Sequence, residues 1–431
     1  MNNGYKMSLP AAILMNLNFM LGTGVFVNTV VLAKFVGFMG FLCYVVVGLM
    51  LSPLIFTFSD LLKIHPGGSL YTFAEKEISR FAGFITTWIY AIGKTGSASL
   101  MIHVFCSFLQ QIFVDLRCVP TLGLDFFVLA IFAMLNLLKM QLGNQIQVVF
   151  VIMKLIPILF VLGAGLIFFE PINISYESIE FTGLLSGIPL VIFSLAGFEL
   201  TCAVSSHIKN PEKNASRAIL IAFGIVLFFV IAYQFLFFVM CGSDLMHLGS
   251  YVDMFPALLN KIIHDGLSRG KLLTVLNLAL ALSSLGSAYG VLYGNTWNFY
   301  RLAQNKHVYF ANYFERLNKN GIPFLSLFLK SSLIVLFLLI TKGNQIPLQQ
   351  VSAMGSLFAY TMSAFALFRY RLTHRRVARI LPVVALLSCT VLFVLAIEGL
   401  MVGNITGLLM FLTCAVFGII MFFATKKRVA F

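Results

Sequence analysis

A stretch of about 20 apolar residues is long enough to cross the hydrocarbon core of a bilayer, and this chain holds about twelve such stretches separated by short polar connections. They fall near residues 10–33, 37–58, 81–113, 122–138, 148–169, 183–205, 218–240, 272–293, 323–340, 348–368, 380–397 and 403–424. With 60% hydrophobic and 10% charged residues, the rest of the chain is too short for a sizeable soluble domain. The expected fold class is therefore an all-α polytopic membrane protein, one transmembrane domain over 1–431.

The formal charge of +14 does not form a basic stripe interleaved with aromatics, so no nucleic-acid partner is expected. The 29 Lys and Arg residues sit in connections. With a cytoplasmic N-terminus, about twenty face inward, among them Lys6, Lys63, Lys76, Arg80, Lys139, Arg301, Arg369, Arg371, Arg375, Arg376 and Lys426. About six face outward: Lys34, Arg117, Lys261, Arg269, Lys271 and Lys342. That bias places both termini in the cytoplasm. The seven Cys show no metal-ligand or disulfide-framework spacing, although Cys118 and Cys241 lie in outward connections where a bridge is conceivable. Lys330, seven residues past Pro323, is about 10 Å deep and within reach of the interface.

Two apolar runs are interrupted. Gly22-Thr23-Gly24 breaks the first, and Phe193-Ser194-Leu195-Ala196-Gly197-Phe198-Glu199 breaks the sixth. Glycine weakens a helix, and backbone groups freed in lipid are tolerated only inside protein or beside a wet cavity. Paired breaks of this kind point to a transporter's binding site. Glu199 is the acid placed well inside a span, a costly position that marks function or support of freed backbone. Lys94 is about 20 Å into the third span, too deep to snorkel easily. Either its ammonium faces the site and favours neutral or acidic substrates over cationic ones, or it pairs with Glu199. Lys154, about 9 Å into the fifth span, either snorkels or bridges helices. Among aromatics, Phe193 directly precedes the break; Trp88, Tyr90, Tyr289, Tyr293 and Trp297 are weaker gate candidates, and His103 reads as a helix–helix contact. Connections add two further elements. Pro66-Gly67-Gly68 leads into an amphiphilic segment at Thr72–Arg80, and an apolar patch, Met254–Leu259, lies outside the membrane-length runs.

Gly93-Lys94-Thr95 mimics the end of a phosphate loop, but Trp88 stands where its first glycine belongs. Paired intramembrane carboxylates, a zinc motif or a Ser/His pair are wanting, which argues against a membrane-embedded enzyme, and the asymmetry of the halves argues against a channel. No cofactor is implied.

Several stretches together resemble the amino acid/polyamine/organocation permease superfamily, whose members share the LeuT fold: Gly22-Thr23-Gly24-Val25-Phe26, Pro66-Gly67-Gly68-Ser69-Leu70-Tyr71, Phe193–Glu199, Lys209-Asn210-Pro211-Glu212 through Ala218, and Tyr300-Arg301-Leu302-Ala303. The resemblance implies two inverted five-helix repeats, about 10–170 and 181–370, with peripheral helices at about 379–425. It implies a secondary transporter in the cytoplasmic membrane, monomer or homodimer, moving an amino acid by antiport or proton symport; a transport-fold sensor is the alternative. Gly22, Thr23 and Gly24 would form the carboxylate side of the substrate cradle, and Ser194, Ala196 and Gly197 the ammonium side. Glu199 would support or gate the break. Lys154 stands where some resembling permeases carry a lysine in place of a sodium ion, coupling transport to protons, and others exchange substrates without such coupling. At Lys94 the basic amino acid and polyamine antiporters usually have Asn.

Overall fold

The computed structural model describes residues 6–137, 141–171, 181–205, 208–374, 379–403 and 405–429. Lys139, Arg375 and Arg376 lie outside these, as does the stretch 172–180 between the two expected repeats. The described residues are helical, with no strand beyond an isolated bridge between Met7 and Ile208.

The first apolar run forms α1 (Leu9–Met20) and α2 (Gly24–Val36), parted at Gly22. A tight turn through Gly37 leads into α3 (Gly40–Ile64), which keeps Pro53 inside the helix. Next come α4 (Leu70–Glu77) and α5 (Arg80–Ile112). Both start on serine caps: Ser69 Oγ accepts from Thr72 N–H, and Ser79 Oγ from Ala82 N–H. The short α4 buries Leu70, Tyr71, Phe73 and Ala74, so the amphiphilic segment is a helix packed on the bundle. Beyond it run α6 (Thr121–Asn136), α7 (Gln141–Ile167) and α8 (Phe181–Leu195). The second break separates α8 from α9 (Leu200–Val204). The chain continues through α10 (Pro211–Cys241), α11 (Asp244–His247), α12 (Met254–Ile262) and α13 (Gly266–Gln304). It ends with α14 (Ala311–Phe314), α15 (Phe324–Thr341), α16 (Gln345–Thr373), α17 (Ile380–Gly403) and α18 (Ile405–Val429).

Among the described residues, ten stretches are long and apolar enough to cross a membrane, one of which, Gly24–Ile64, contains both α2 and α3; α6 is shorter. Burial sorts them. The apolar windows of α5 and of the Thr182–Cys202 stretch are 78% and 83% buried, against 28% and 33% for those of α17 and α18. The first two are the centre of the bundle and the last two its rim, because an apolar side chain loses nothing by facing lipid. At the centre, α5 and α16 touch backbone to backbone: a Cβ on Gly93 would come within 3.0 Å of Gly355 Cα. The patch at Met254–Leu259 packs as α12, with Met254, Phe255, Leu258 and Leu259 buried.

At the basic end of the bundle, polar ties close the helices together. Arg371 Nη2 meets Asp60 Oδ2 at 2.5 Å, joining α16 to α3, and Arg301 on α13 donates to the Ser69 Oγ that caps α4. Arg80 Nη2 donates to the Asn305 carbonyl at 2.8 Å. His307 Nε2–H donates to the Tyr71 hydroxyl (2.8 Å), whose proton goes to Glu75 Oε1 (3.0 Å). Burial, helped by the nearby Arg80 cation, pushes the His307 imidazole down from 6.5 to about 4.

One expectation fails here. Lys330 does not snorkel: it is fully buried, and its Nζ donates to the Val291 carbonyl at 2.7 Å, because α15 packs that face against α13 rather than lipid. Cys118 and Cys241 are both free, Cys118 exposed and Cys241 buried among helix contacts.

Candidate functional site

The two breaks meet at the centre of the bundle, and glycine at each is what lets them meet. A Cβ on Gly24 would lie 2.6 Å from Ser194 Oγ and 2.9 Å from Phe193 Cδ1. Gly197, at φ +126°, adopts a left-handed conformation that side chains resist, and a Cβ there would lie 2.7 Å from the Phe19 carbonyl oxygen. Each break thus packs its glycine under the other. Asn28 on α2 locks the crossing, its Nδ2 donating to the Leu190 carbonyl (2.7 Å) and to Ser194 Oγ (2.8 Å).

Breaking a helix frees backbone groups. Gly22 N–H turns back to the Met20 carbonyl, and Phe26 and Val27 bond to Thr23 O. The amides of Thr23, Gly24 and Val25 have no partner among the described residues. On the other break Ala196 N–H closes the last turn on Ile192 O, while the carbonyls of Phe193, Ser194 and Leu195 accept nothing among the described residues. A donor-rich helix start and an acceptor-rich helix end therefore lie side by side, the polarity that suits a carboxylate and an ammonium respectively.

Beside them is a cavity of about 10 Å³, lined by Gly22, Gly24, Lys94, Ser97, Met101, Phe193, Ser194, Ala196, Gly197, Leu200 and Val291. It holds about one water molecule, so the site is contracted. Thr23 does not line it; its side chain is buried and its Oγ1 has no partner among the described residues. Tyr289, Tyr293 and Trp297 do not line it either, and Trp88 instead donates its indole N–H to the Cys414 carbonyl on α18 at 2.9 Å.

Glu199 is the most heavily bonded group at the site. Its Oε1 takes the Lys94 ammonium at 2.8 Å and the Tyr90 hydroxyl at 2.9 Å; its Oε2 takes the Tyr360 hydroxyl and the Gly197 amide, both at 2.8 Å. Lys94 and Glu199 are an ion pair, the second of the two readings of Lys94, and Lys94 lines the cavity with its charge already matched. Lys94 Nζ also lies 5.2 Å from the Tyr90 ring centre. The pair joins α5 to the second break, and Tyr360 brings in α16. Tyr360 lacked any signal in the sequence, since an isolated Tyr in an apolar run reads as packing.

Lys154 is fully buried, which excludes snorkelling, and its Nζ donates to the Asn18 carbonyl (2.5 Å) and Ser287 Oγ (2.7 Å). It ties α7 to the end of α1 and to α13. No carboxylate contacts it among the described residues. Asp125, at the start of α6, is a second fully buried acid that the sequence reading passed over; its Oδ2 pairs with His103 Nδ1 at 2.7 Å, the helix–helix contact expected for His103.

The amino acid permease family model matches residues 7–424. The chain belongs to the amino acid permease family. This permease is 24% identical over 326 residues to the serine/threonine exchanger SteT of Bacillus subtilis (strain 168), covering 72% of this chain and 69% of that one. It is 23% identical over 323 residues to the D-serine/D-alanine/glycine transporter of Escherichia coli (strain K12), covering 70% of this chain and 66% of that one. These relatives are transporters, not enzymes, and the permease is a multi-pass membrane protein whose family transports amino acids.

Proposed function

We propose that this permease is a secondary transporter that moves a small neutral amino acid across the cytoplasmic membrane by alternating access. The observation that carries the reading is the pairing of three unbonded amides at Thr23–Val25 with three unbonded carbonyls at Phe193–Leu195. The first group would hold the substrate carboxylate and the second its ammonium. Gly22, Gly24, Ala196 and Gly197 keep side chains out of the way, and Thr23 contributes its amide rather than its hydroxyl. The Ser194 hydroxyl is engaged by Asn28, so its carbonyl is the contributing atom.

Small and neutral follow from the cavity. Met101, Phe193, Leu200 and Val291 crowd it, and Lys94, matched by Glu199, offers no net charge for an acidic side chain. The named substrates of the two relatives, serine, threonine, D-alanine and glycine, fit such a site. In this reading the chain makes twelve passes, five plus five inverted and two peripheral, with both termini cytoplasmic by the Lys/Arg bias. The ties around Asp60, Ser69 and His307 then close the cytoplasmic side. Lys154 couples the first break to α7 and α13, and protons are the candidate coupling ion.

Counterflow in proteoliposomes tests this. Vesicles loaded with unlabelled serine are expected to accumulate labelled serine transiently above equilibrium, with alanine and glycine competing and arginine not. Binding without exchange would make the chain a sensor and sink the proposal.

A further inference from the structure

The connection from α13 to α15, residues 305–323, carries aromatic side chains that the protein does not cover. It leaves α13 through two left-handed residues, Lys306 and Phe310, both at φ 57°, a conformation that a bulky side chain adopts only under strain. Packing does not offset that strain at Phe310, whose ring is 72% exposed. Strained backbone of this kind clusters where a site needs it. The Tyr313 ring, also exposed, lies 6.5 Å from that of Phe310, and Leu317 is exposed one turn further along the chain.

The segment is pinned in place. Ser326 Oγ in the first turn of α15 donates to the Phe314 carbonyl at 3.2 Å, and the side-chain amides of Asn318 and Asn320 both donate to the Leu137 carbonyl behind α6, at 3.2 and 2.8 Å. Asn318 Oδ1 accepts the Asn320 and Ile322 amides, both at 2.9 Å, which sets Lys319 in a tight turn. On α15 itself Phe324 and Phe328, one turn apart, are exposed on a side that only lipid can cover, so the patch adjoins the lipid-facing surface. Its charge is one-sided. Lys306 meets Glu315 at 2.8 Å, which leaves Arg316 and Lys319 without an ion-pair partner among the described residues. The Arg316 guanidinium is held over the Tyr313 ring, 4.8 Å from its centre. An exposed apolar patch edged by two unmatched cations complements a molecule with a phosphate at one end and hydrocarbon at the other.

We propose that the connection from α13 to α15 is a docking site for an anionic phospholipid: Phe310, Tyr313 and Leu317 enter the bilayer interface beside α15, and Arg316 and Lys319 hold the headgroup phosphate. The orientation proposed above places it in the cytoplasmic leaflet, where anionic lipid collects; the binding itself does not depend on the transport reading. The strain at Phe310 then has a use, because the left-handed turn sends an aromatic ring out of the protein and into the headgroup region, where such rings are stable.

The test uses the full chain as Phe310→Trp in nanodiscs of equimolar phosphatidylcholine and phosphatidylglycerol, with bromine carried on the acyl chains of one lipid or of the other. Bromine quenches a tryptophan that touches it, and the signal of the native Trp88 and Trp297 is subtracted with the unsubstituted chain. Quenching by brominated phosphatidylglycerol is expected to exceed that by brominated phosphatidylcholine about twofold or more. The ratio is expected to fall to one in an Arg316→Gln, Lys319→Gln chain, and in about 1 M salt, where the screening length shrinks to ~3 Å. A Tyr313→Trp chain, which keeps a ring under Arg316, is expected to report the same preference. No quenching by either lipid overturns the proposal, because the patch then faces water or a protein. Equal quenching by both overturns it too, leaving an aromatic belt with no headgroup site. A preference that survives the double glutamine change moves the headgroup to other residues, and one abolished by soluble inorganic phosphate reassigns the two cations to a free anion; either result rejects the site.

Discussion

Lys94 and Lys154 are both buried ammonium groups near the two breaks, and their surroundings differ in one respect. Lys94 meets a carboxylate, Glu199, inside a cage of two tyrosine hydroxyls and a backbone amide. Lys154 meets only neutral oxygens, Asn18 O and Ser287 Oγ. A buried ion pair is strongly destabilised when one partner is removed, because the other charge remains. An unmatched buried cation has no such partner to strand, and its burial is itself the cost. The difference teaches that Lys94 belongs to the scaffold of the second break, while Lys154 is held at an expense that function must justify.

Removing the carboxylate should give the largest effect. Glu199→Gln strands Lys94 and weakens the ties to Tyr90, Tyr360 and Gly197, with an expected loss of about 3–5 kcal/mol of stability, read by thermal unfolding in detergent, and no counterflow. Adding Lys94→Met should recover part of that stability. A single variant as stable as the wild type would break the contrast at once.

Lys154→Met should behave in the opposite way: folding is retained or slightly stabilised, while counterflow slows about tenfold, equivalent to about 1.4 kcal/mol on the transport barrier. Dependence on a pH gradient should disappear with it. Uptake that kept the full dependence would remove Lys154 from coupling.

Lys330 sharpens the comparison as a third buried lysine, bonded to the Val291 carbonyl on α13 rather than to either break. Lys330→Met should leave counterflow within about twofold, under ~0.5 kcal/mol on the barrier. A loss as deep as that of Lys154→Met would mean that burial alone, not contact with the first break, makes a lysine matter.

The smallest effect is expected outside the membrane spans. The folded His307 titrates near 4 rather than 6.5, so below about pH 6.5 the unfolded chain binds a proton that the folded chain refuses. Stability should fall as the pH drops through that window and level off below about 4. His307→Asn should flatten the curve. An unchanged slope would assign the acid sensitivity to other groups.

Much of this was legible in the residues. Gly22-Thr23-Gly24 and Phe193–Glu199 announced the breaks, since lipid penalises open backbone and only a few residue types invite it. The pairing of Lys94 with Glu199 was one of two readings, because 105 positions separate them in the chain and nothing local records a contact across that distance. Lys330 misled for the same reason: depth along a helix says how far a lysine must reach, not which way its face is turned. Asp125 was passed over at the edge of a predicted span, and Tyr360 had no signal at all.

The sequence by itself determined the solvent, the helical class and the location of the two breaks, because hydropathy and helix propensity act over a few turns of chain. Only the tertiary structure decided which charges met and which stood alone, that Gly24 and Gly197 each lie beneath the opposite break, and that the turn carrying Lys319 is pinned to Leu137. Those facts depend on the rotation and crossing of helices far apart in the chain, which packing of all the side chains fixes together and no single segment encodes.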